Sequence, residues 1–470
     1  MSRREGVGDL ALVLHSHMPY VEGFGTYPFG EEWLFDAVIR SYLPVLEVAE
    51  RLTMTVTPVL ADQLEDAGAA ERLRRFLVQW RVGAAEADMS EVPAECRPAV
   101  EGELSRYRHA LGLLDAAHGD PLAAFQRAAA EGRVELAASA ATHAVLPLLA
   151  TRAGLRLQLD AGIRSHRRRF GWGGGFWLPE CAYVPGLERR LADAGVEWFC
   201  VDQSAHEAPR EALAPVRTEA GPIALPIDWE AIGWLWSLDG YPSDPAHAQF
   251  AGKSLRGIRL WKVGGGAYDP AAAEAAARRQ AEEFLAAVAA RLREHAASSA
   301  RRGLLVFAID TELLGHWWSE GATWLRAVLG GAAAAGVRTV TVAEALAEHE
   351  PVERELLAST WGEGKNFETW DSPAVADLAW AARRLELRLL RAISEGLGGD
   401  AAPRAARELL AVQASDWAFL DKRGQAGDYA FQRTTDHAQA LLEAIDSRTV
   451  TDPRMRSLAP DLSLAPLLEP

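Results

Sequence analysis

The feature that most limits the fold of this 470-residue chain is a set of short apolar runs, each ending at a residue able to do chemistry. Residues 9–14 run into His15-Ser16-His17-Met18-Pro19-Tyr20, and residues 134–138 lead to Thr142-His143. Residues 175–178 lead to Pro179-Glu180, residues 197–201 to Asp202, and residues 304–309 to Asp310. Short continuous apolar runs suit strands covered on both faces. Stretches of helical period separate them, so strands alternate with helices and the sheet should be parallel. In a parallel barrel the reactive groups gather at the strand C-termini, where these residues fall.

The rest of the chain fills in this plan. Further strands are predicted at 54–60, 223–227, 257–261 and 337–342, and helices at about 32–52, 152–170 and 270–297. An Ala/Leu/Glu/Arg-rich segment at about 64–130 reads as a helical insertion. The stretch with Trp229, Trp234 and Trp236 reads as an aromatic loop. Beyond Pro351 no strand pattern is evident; a loop over 361–370 precedes amphipathic helices to about residue 446. The expected division is an α/β catalytic unit over 1–350 and a helical domain over 351–470.

Composition narrows the partners. A formal net charge of −16 disfavours a nucleic-acid backbone and suits a neutral polymer. Sixteen Trp residues could stack on sugar rings, although each taken singly fits a core equally well. Cys96, Cys181 and Cys200 match neither a zinc spacing nor a disulfide framework. The apolar run at 10–14 is too short for a signal peptide, and no run approaches the roughly 20 residues of a membrane span. A cytoplasmic protein with no membrane partner is expected.

Glu180 and Asp310 are the natural carboxylate pair, each closing a strongly apolar run and each flanked by Trp. Breaking a glycosidic bond takes two such groups, one to attack or activate water and one to protonate the leaving oxygen. Burial would raise one pKa and keep that group protonated. In isolation Glu180 fits a helix cap, or a side chain that simply meets water, better than it fits a catalytic role; Asp310 and the strand-end histidines shift the balance toward chemistry. Trp177 and Tyr183 frame it as walls for a sugar. His15 and His17, two apart on a strand, point the same way, as metal ligands or as partners for hydroxyls.

The segments 15–20, Thr142 through Leu149, Trp177-Leu178-Pro179-Glu180-Cys181-Ala182-Tyr183, Asp310 through Gly321, and Gln413-Ala414-Ser415-Asp416-Trp417 resemble glycoside hydrolase family 57. The likeness is greatest to its 1,4-α-glucan (glycogen) branching enzyme subgroup and spans nearly the whole chain. It implies a distorted (β/α)7 barrel with a helical insertion and an all-helical C-terminal domain closing the cleft. It implies a retaining mechanism on α-1,4-glucans, with Glu180 as nucleophile and Asp310 as acid/base, their carboxyl groups about 5–5.5 Å apart. His15, His17 and His143 would line the donor subsite. Trp261, Trp361, Trp370 and Trp417 would stack on glucose, Asp416 and Gln425 would make polar contacts, and His316 and Trp317 would meet substrate. No metal or cofactor is implied.

One departure stands out. Gly240-Tyr241-Pro242-Ser243-Asp244 matches the subgroup's mobile loop, but His247 occupies the expected place of a cleft-covering tyrosine. That change would favour hydrolysis or 1,4-transfer. A 4-α-glucanotransferase or α-amylase therefore stays open, as do a zinc-dependent, deacetylase-like hydrolase built on His15, His17 and His143 and a silent glucan-binding protein.

Overall fold

The computed structural model describes residues 6–206, 213–299, 301–450 and 457–468. Its strands are β1 (Gly8–Ser16), β2 (Leu52–Val56), β3 (Val134–Ser139), β4 (Gly175–Trp177), β5 (Trp198–Asp202), β6 (Val216–Arg217), β7 (Ile223–Ile227), β8 (Gly303–Asp310), β9 (Val337–Val340) and β10 (Val352–Glu353). Seven of them run parallel in the order β8-β1-β2-β3-β4-β5-β7. The two ends meet where the Asp228 N–H donates to the Val306 carbonyl at 2.8 Å. This is a distorted (β/α)7 barrel. Outside it, β6 lies antiparallel to β7 and β10 parallel to β6.

The strand β1 is the axis of the sheet. It pairs with β8 along its length, from Gly8↔Gly303 to His15↔Asp310. On its other side it pairs first with β9 and then, from Val13 onward, with β2. Every residue of β1 is buried, as its unbroken apolar run requires.

Several expected boundaries move. The helix after β1 spans Glu31–Val48, with a π turn at Val38–Tyr42, and stops where Ala49 leaves helical backbone. The strand expected at 54–60 ends at Val56, because Pro58 opens the helix Pro58–Glu65 in the one position where a missing N–H costs nothing. Residues 257–261 form only isolated bridges, Lys253↔Arg259 and Trp261↔Ala267, in a segment turned by Gly257, Gly264, Gly265 and Gly266 at positive φ. The expected aromatic loop is a helix, Trp229–Trp236, whose N-terminus is capped by the Asp228 carboxylate on the Ala231 N–H.

The insertion is helical from Ala69 to Ala130, with short turns between helices. The C-terminal region is helical too: Ala376–Ser394, Ala401–Val412, Ser415–Lys422 and Tyr429–Ser447. Its apolar cluster around Leu389, Leu409, Leu410 and Leu441 also takes in Tyr20, Val59 and Leu157 of the barrel. Barrel and helices thus share a core along their seam. No helix among the described residues is long and apolar enough to cross a membrane.

Candidate active site

The barrel brings the predicted pair into one cleft of about 470 Å³, lined by Glu180, Asp310, His15, His17, His143 and aromatic side chains. Asp310 is the last residue of β8, in register with His15, which in turn faces Thr55 of β2. Glu180 sits in a tight turn three residues past β4, with φ 60°; His143, past β3, has φ 59°. Left-handed backbone costs a non-glycine residue roughly 1–3 kcal/mol unless its surroundings enforce it. At Glu180 they do: its carbonyl accepts the Trp361 N–H at 2.9 Å, and Cys181 N–H closes the turn onto the Leu178 carbonyl at 2.8 Å. Two of the non-glycine residues with left-handed backbone, His143 and Glu180, thus line the cleft.

The two carboxyl groups occupy different electrostatic settings. Burial raises the Glu180 pKa, but two donors counter it. Trp361 Nε1–H donates to Oε2 and the Ser415 hydroxyl to Oε1, both at 2.7 Å. Asp310 is pushed well above the carboxylate range by burial, and then by the charges of Glu312, Glu180 and Asp416. Both carboxyls are raised, Asp310 the further, so a proton rests more readily on Asp310 than on Glu180. Glu312 was not foreseen from the sequence, although it lies two residues beyond Asp310. It accepts the His17 N–H at 3.0 Å and the Tyr42 hydroxyl, and burial pushes its carboxyl up to about 7.

The three histidines form a stack. The rings of His15 and His17 lie 5.9 Å apart and those of His17 and His143 4.2 Å apart. Burial drives His15 and His143 well below the ordinary imidazole range. Burial acts against charge on His17 as well, yet Asp416, Glu312 and Glu180 together raise its pKa. Its Nε2 lies 3.0 Å from both Asp416 oxygens, with Nδ1 on the Thr57 hydroxyl. Donor atoms of His17, His143 and Asp416 come within 4.8 Å of one another. The His17 ring Nε2 is already committed to Asp416, and the imidazoles meet face to face, so their lone pairs do not converge on one point. Asp9 lies at the opposite end of β1, held by Arg302, Arg338 and His349.

Not every predicted residue reaches the cleft. Trp317, Trp361, Trp370, Asp416 and Gln425 line it. Trp177 does not: it is 0% exposed and forms the floor beneath His15, ring to ring at 4.6 Å. Trp417 is buried in the helical domain, its N–H on the Ala411 carbonyl. Trp261 packs against the barrel core, and His316 faces a neighbouring groove beside Asp36 and Arg40. His247 is fully buried, 2.8 Å from Gln280 and paired with Glu320; it does not overlie the cleft. The preceding helix, Trp229–Trp236, supplies Trp229, Ile232 and Trp236 to the cleft instead. Asp202 acts from below, accepting the Trp229 indole N–H and the Lys365 ammonium, which itself rests on the Trp229 ring.

Comparison with known proteins agrees with this geometry. The family described as glycosyl hydrolase family 57 matches residues 11–357, and the family described as 1,4-alpha-glucan branching enzyme, C-terminal, matches residues 378–462. The chain is 33% identical to a 1,4-alpha-glucan branching enzyme of Thermococcus kodakarensis, over 92% of this chain and 72% of that one. It superposes on the crystal structure of the branching enzyme of this type from Pyrococcus horikoshii with a TM-score of 0.91 at 30% identity, covering 98% and 97% of the two chains. An alpha-amylase from Thermotoga maritima, at 24% identity and a TM-score of 0.82 over 98% of each chain, shares the fold.

Proposed function

The chain belongs to glycosyl hydrolase family 57, and from that premise we propose that it is a 1,4-α-glucan branching enzyme working by double displacement. An α-1,4-glucan binds along the aromatic cleft. Glu180 attacks the anomeric carbon while Asp310 gives its proton to the departing O4, leaving the donor chain esterified to Glu180. Asp310, now ionised, takes the proton of an acceptor 6-hydroxyl as that oxygen displaces Glu180, forming an α-1,6 branch.

The observation that carries this reading is the divergence of the two carboxyl groups: Glu180 held by two donors, Asp310 crowded by three carboxylates. The exposed faces of Trp236 and Trp317 give the cleft a rim on which an acceptor chain can lie. His15, His17 and His143 would contact the donor sugar. The catalytic unit is taken as residues 1–350 and the cleft-closing helical domain as 351–470, since Asp416 and Gln425 reach the cleft from the latter. A cytoplasmic location fits a glucan-storing role.

Incubation with amylose separates the alternatives. A branching enzyme raises the number of α-1,6 linkages, read after enzymatic debranching, without a matching rise in reducing ends. Reducing ends without new branches would mean an amylase; redistributed linear chains would mean a 4-α-glucanotransferase.

A further inference from the structure

The helical domain reaches the proposed nucleophile through Ser415. This residue opens the helix Ser415–Lys422, across the seam from the barrel. The turn before it is stitched to the barrel backbone. Ala414 bridges to Ala144, and the Ser415 N–H donates to the His143 carbonyl at 3.2 Å. Its hydroxyl oxygen lies 2.7 Å from Glu180 Oε1 and 2.9 Å from His143 Nδ1, while that nitrogen is 3.6 Å from the same carboxylate oxygen. The serine is the intermediary between them.

Proton counting then fixes the direction of each bond. An ionised carboxylate can only accept, and a serine hydroxyl has one proton to give. Ser415 gives it to Glu180, so its remaining capacity toward His143 is as an acceptor, and Nδ1 must carry the hydrogen. Burial keeps this imidazole neutral, which leaves Nε2 as a bare lone pair. That atom is buried and has no hydrogen-bond partner in the structure, and His143 lines the cleft.

Resting on Glu180 as the nucleophile, we infer that Ser415 is a positioning residue. It holds the Glu180 carboxylate for attack and, through the chain His143 Nδ1–H to Ser415 O–H to Glu180, sets His143 Nε2 as an acceptor. A donor-site sugar hydroxyl that meets this nitrogen would donate a hydrogen bond to it and could not receive one. The helical domain contributes an element of the catalytic apparatus as well as a cover.

The test is the pH profile of kcat/KM for Ser415→Ala and Ser415→Thr. Other groups face Glu180 from every side: Trp361 from its loop, His17 after β1, His143 after β3, Asp310 at the end of β8, and Asp416 beside Ser415. All of these remain in both variants. Losing the hydroxyl should cut kcat about tenfold or more and move the acid limb up by about one pH unit, the size of one charge-assisted bond. The threonine variant should restore the wild-type limb. An unshifted limb in Ser415→Ala, or a threonine variant no better than alanine, would overturn the inference. Glu180→Ala in the same assay keeps the two ideas apart. If it stays active, the nucleophile assignment falls, and this inference with it. If it is inactive while Ser415→Ala keeps its limb, only the present inference falls. Should Ser415→Ala not fold, ¹⁵N-histidine spectra of the intact wild-type enzyme decide, with His143 assigned by difference against His143→Gln. A protonated Nδ1 supports the chain, and a protonated Nε2 refutes it.

Discussion

Asp310 has Glu312, Glu180 and Asp416 as its charged neighbours, and this crowding has separable consequences. Asp310→Asn should lower turnover of amylose by about 10²–10⁴-fold, the usual worth of a general acid. It should largely spare formation of the glycosyl-enzyme from a maltosyl fluoride, whose leaving group needs no proton; rapid donor kinetics would show this. Glu312→Gln removes one of the charges that raise Asp310. The Asp310 pKa then falls, and the alkaline limb of kcat/KM should move to lower pH; an unmoved or raised limb would exclude Glu312 from that role. At this scale the sequence was legible where polar residues follow strand ends: Glu180, Asp310 and His143 all line the cleft. It misled where Trp was concerned. Trp177 and Trp361 look alike in the chain, yet one floors the barrel and the other donates its indole N–H to Glu180. Composition cannot tell an indole facing a core from one facing a sugar.

The helix Trp229–Trp236 is held at its first residue. The Trp229 indole donates to Asp202 and its face receives Lys365, from the loop that also carries Trp361. The helix thereby connects the rim of the cleft to the clamp on Glu180. Trp236, half exposed, lines the cleft at the far end of this helix, and on the proposed function it would shield the glycosyl-enzyme from water and support the acceptor. Trp236→Ala should raise the ratio of reducing ends to new α-1,6 linkages several-fold on amylose, with donor cleavage retained; a constant ratio would remove Trp236 from acceptor control. The sequence hid this helix because its Trp residues are not segregated onto a buried face: Trp234 and Trp236 are exposed while Ile232 and Leu235 are buried. The boundary at Pro58 was missed for a different reason. An apolar run continues across it, and only the proline marks the change from strand to helix.

The barrel and the helical region are coupled by contacts far apart in the chain, and these were the least legible part of the molecule. Strand order follows from alternation along the sequence. Nothing local says that residue 416 will meet residue 17. The His17–Asp416 pair, at 3.0 Å, lies across that seam. Because the folded pKa of His17 is raised, its stabilisation is complete below the unfolded value of about 6.5 and is lost as pH climbs through the folded one. The melting-temperature gap between wild type and Asp416→Asn should therefore be widest in mild acid and close with rising pH; a gap that widens would reverse the sign and refute the pairing.

Everything in this account depends on a sugar becoming covalently attached to Glu180. The most direct measurement is peptide mapping by mass spectrometry after incubation with a 5-fluoro-maltosyl fluoride, which forms the glycosyl-enzyme faster than the enzyme can discharge it. A maltosyl adduct on the peptide carrying Glu180, absent in Glu180→Gln, is the predicted result. An adduct on Asp310, or none while the native enzyme still cleaves amylose, would contradict it.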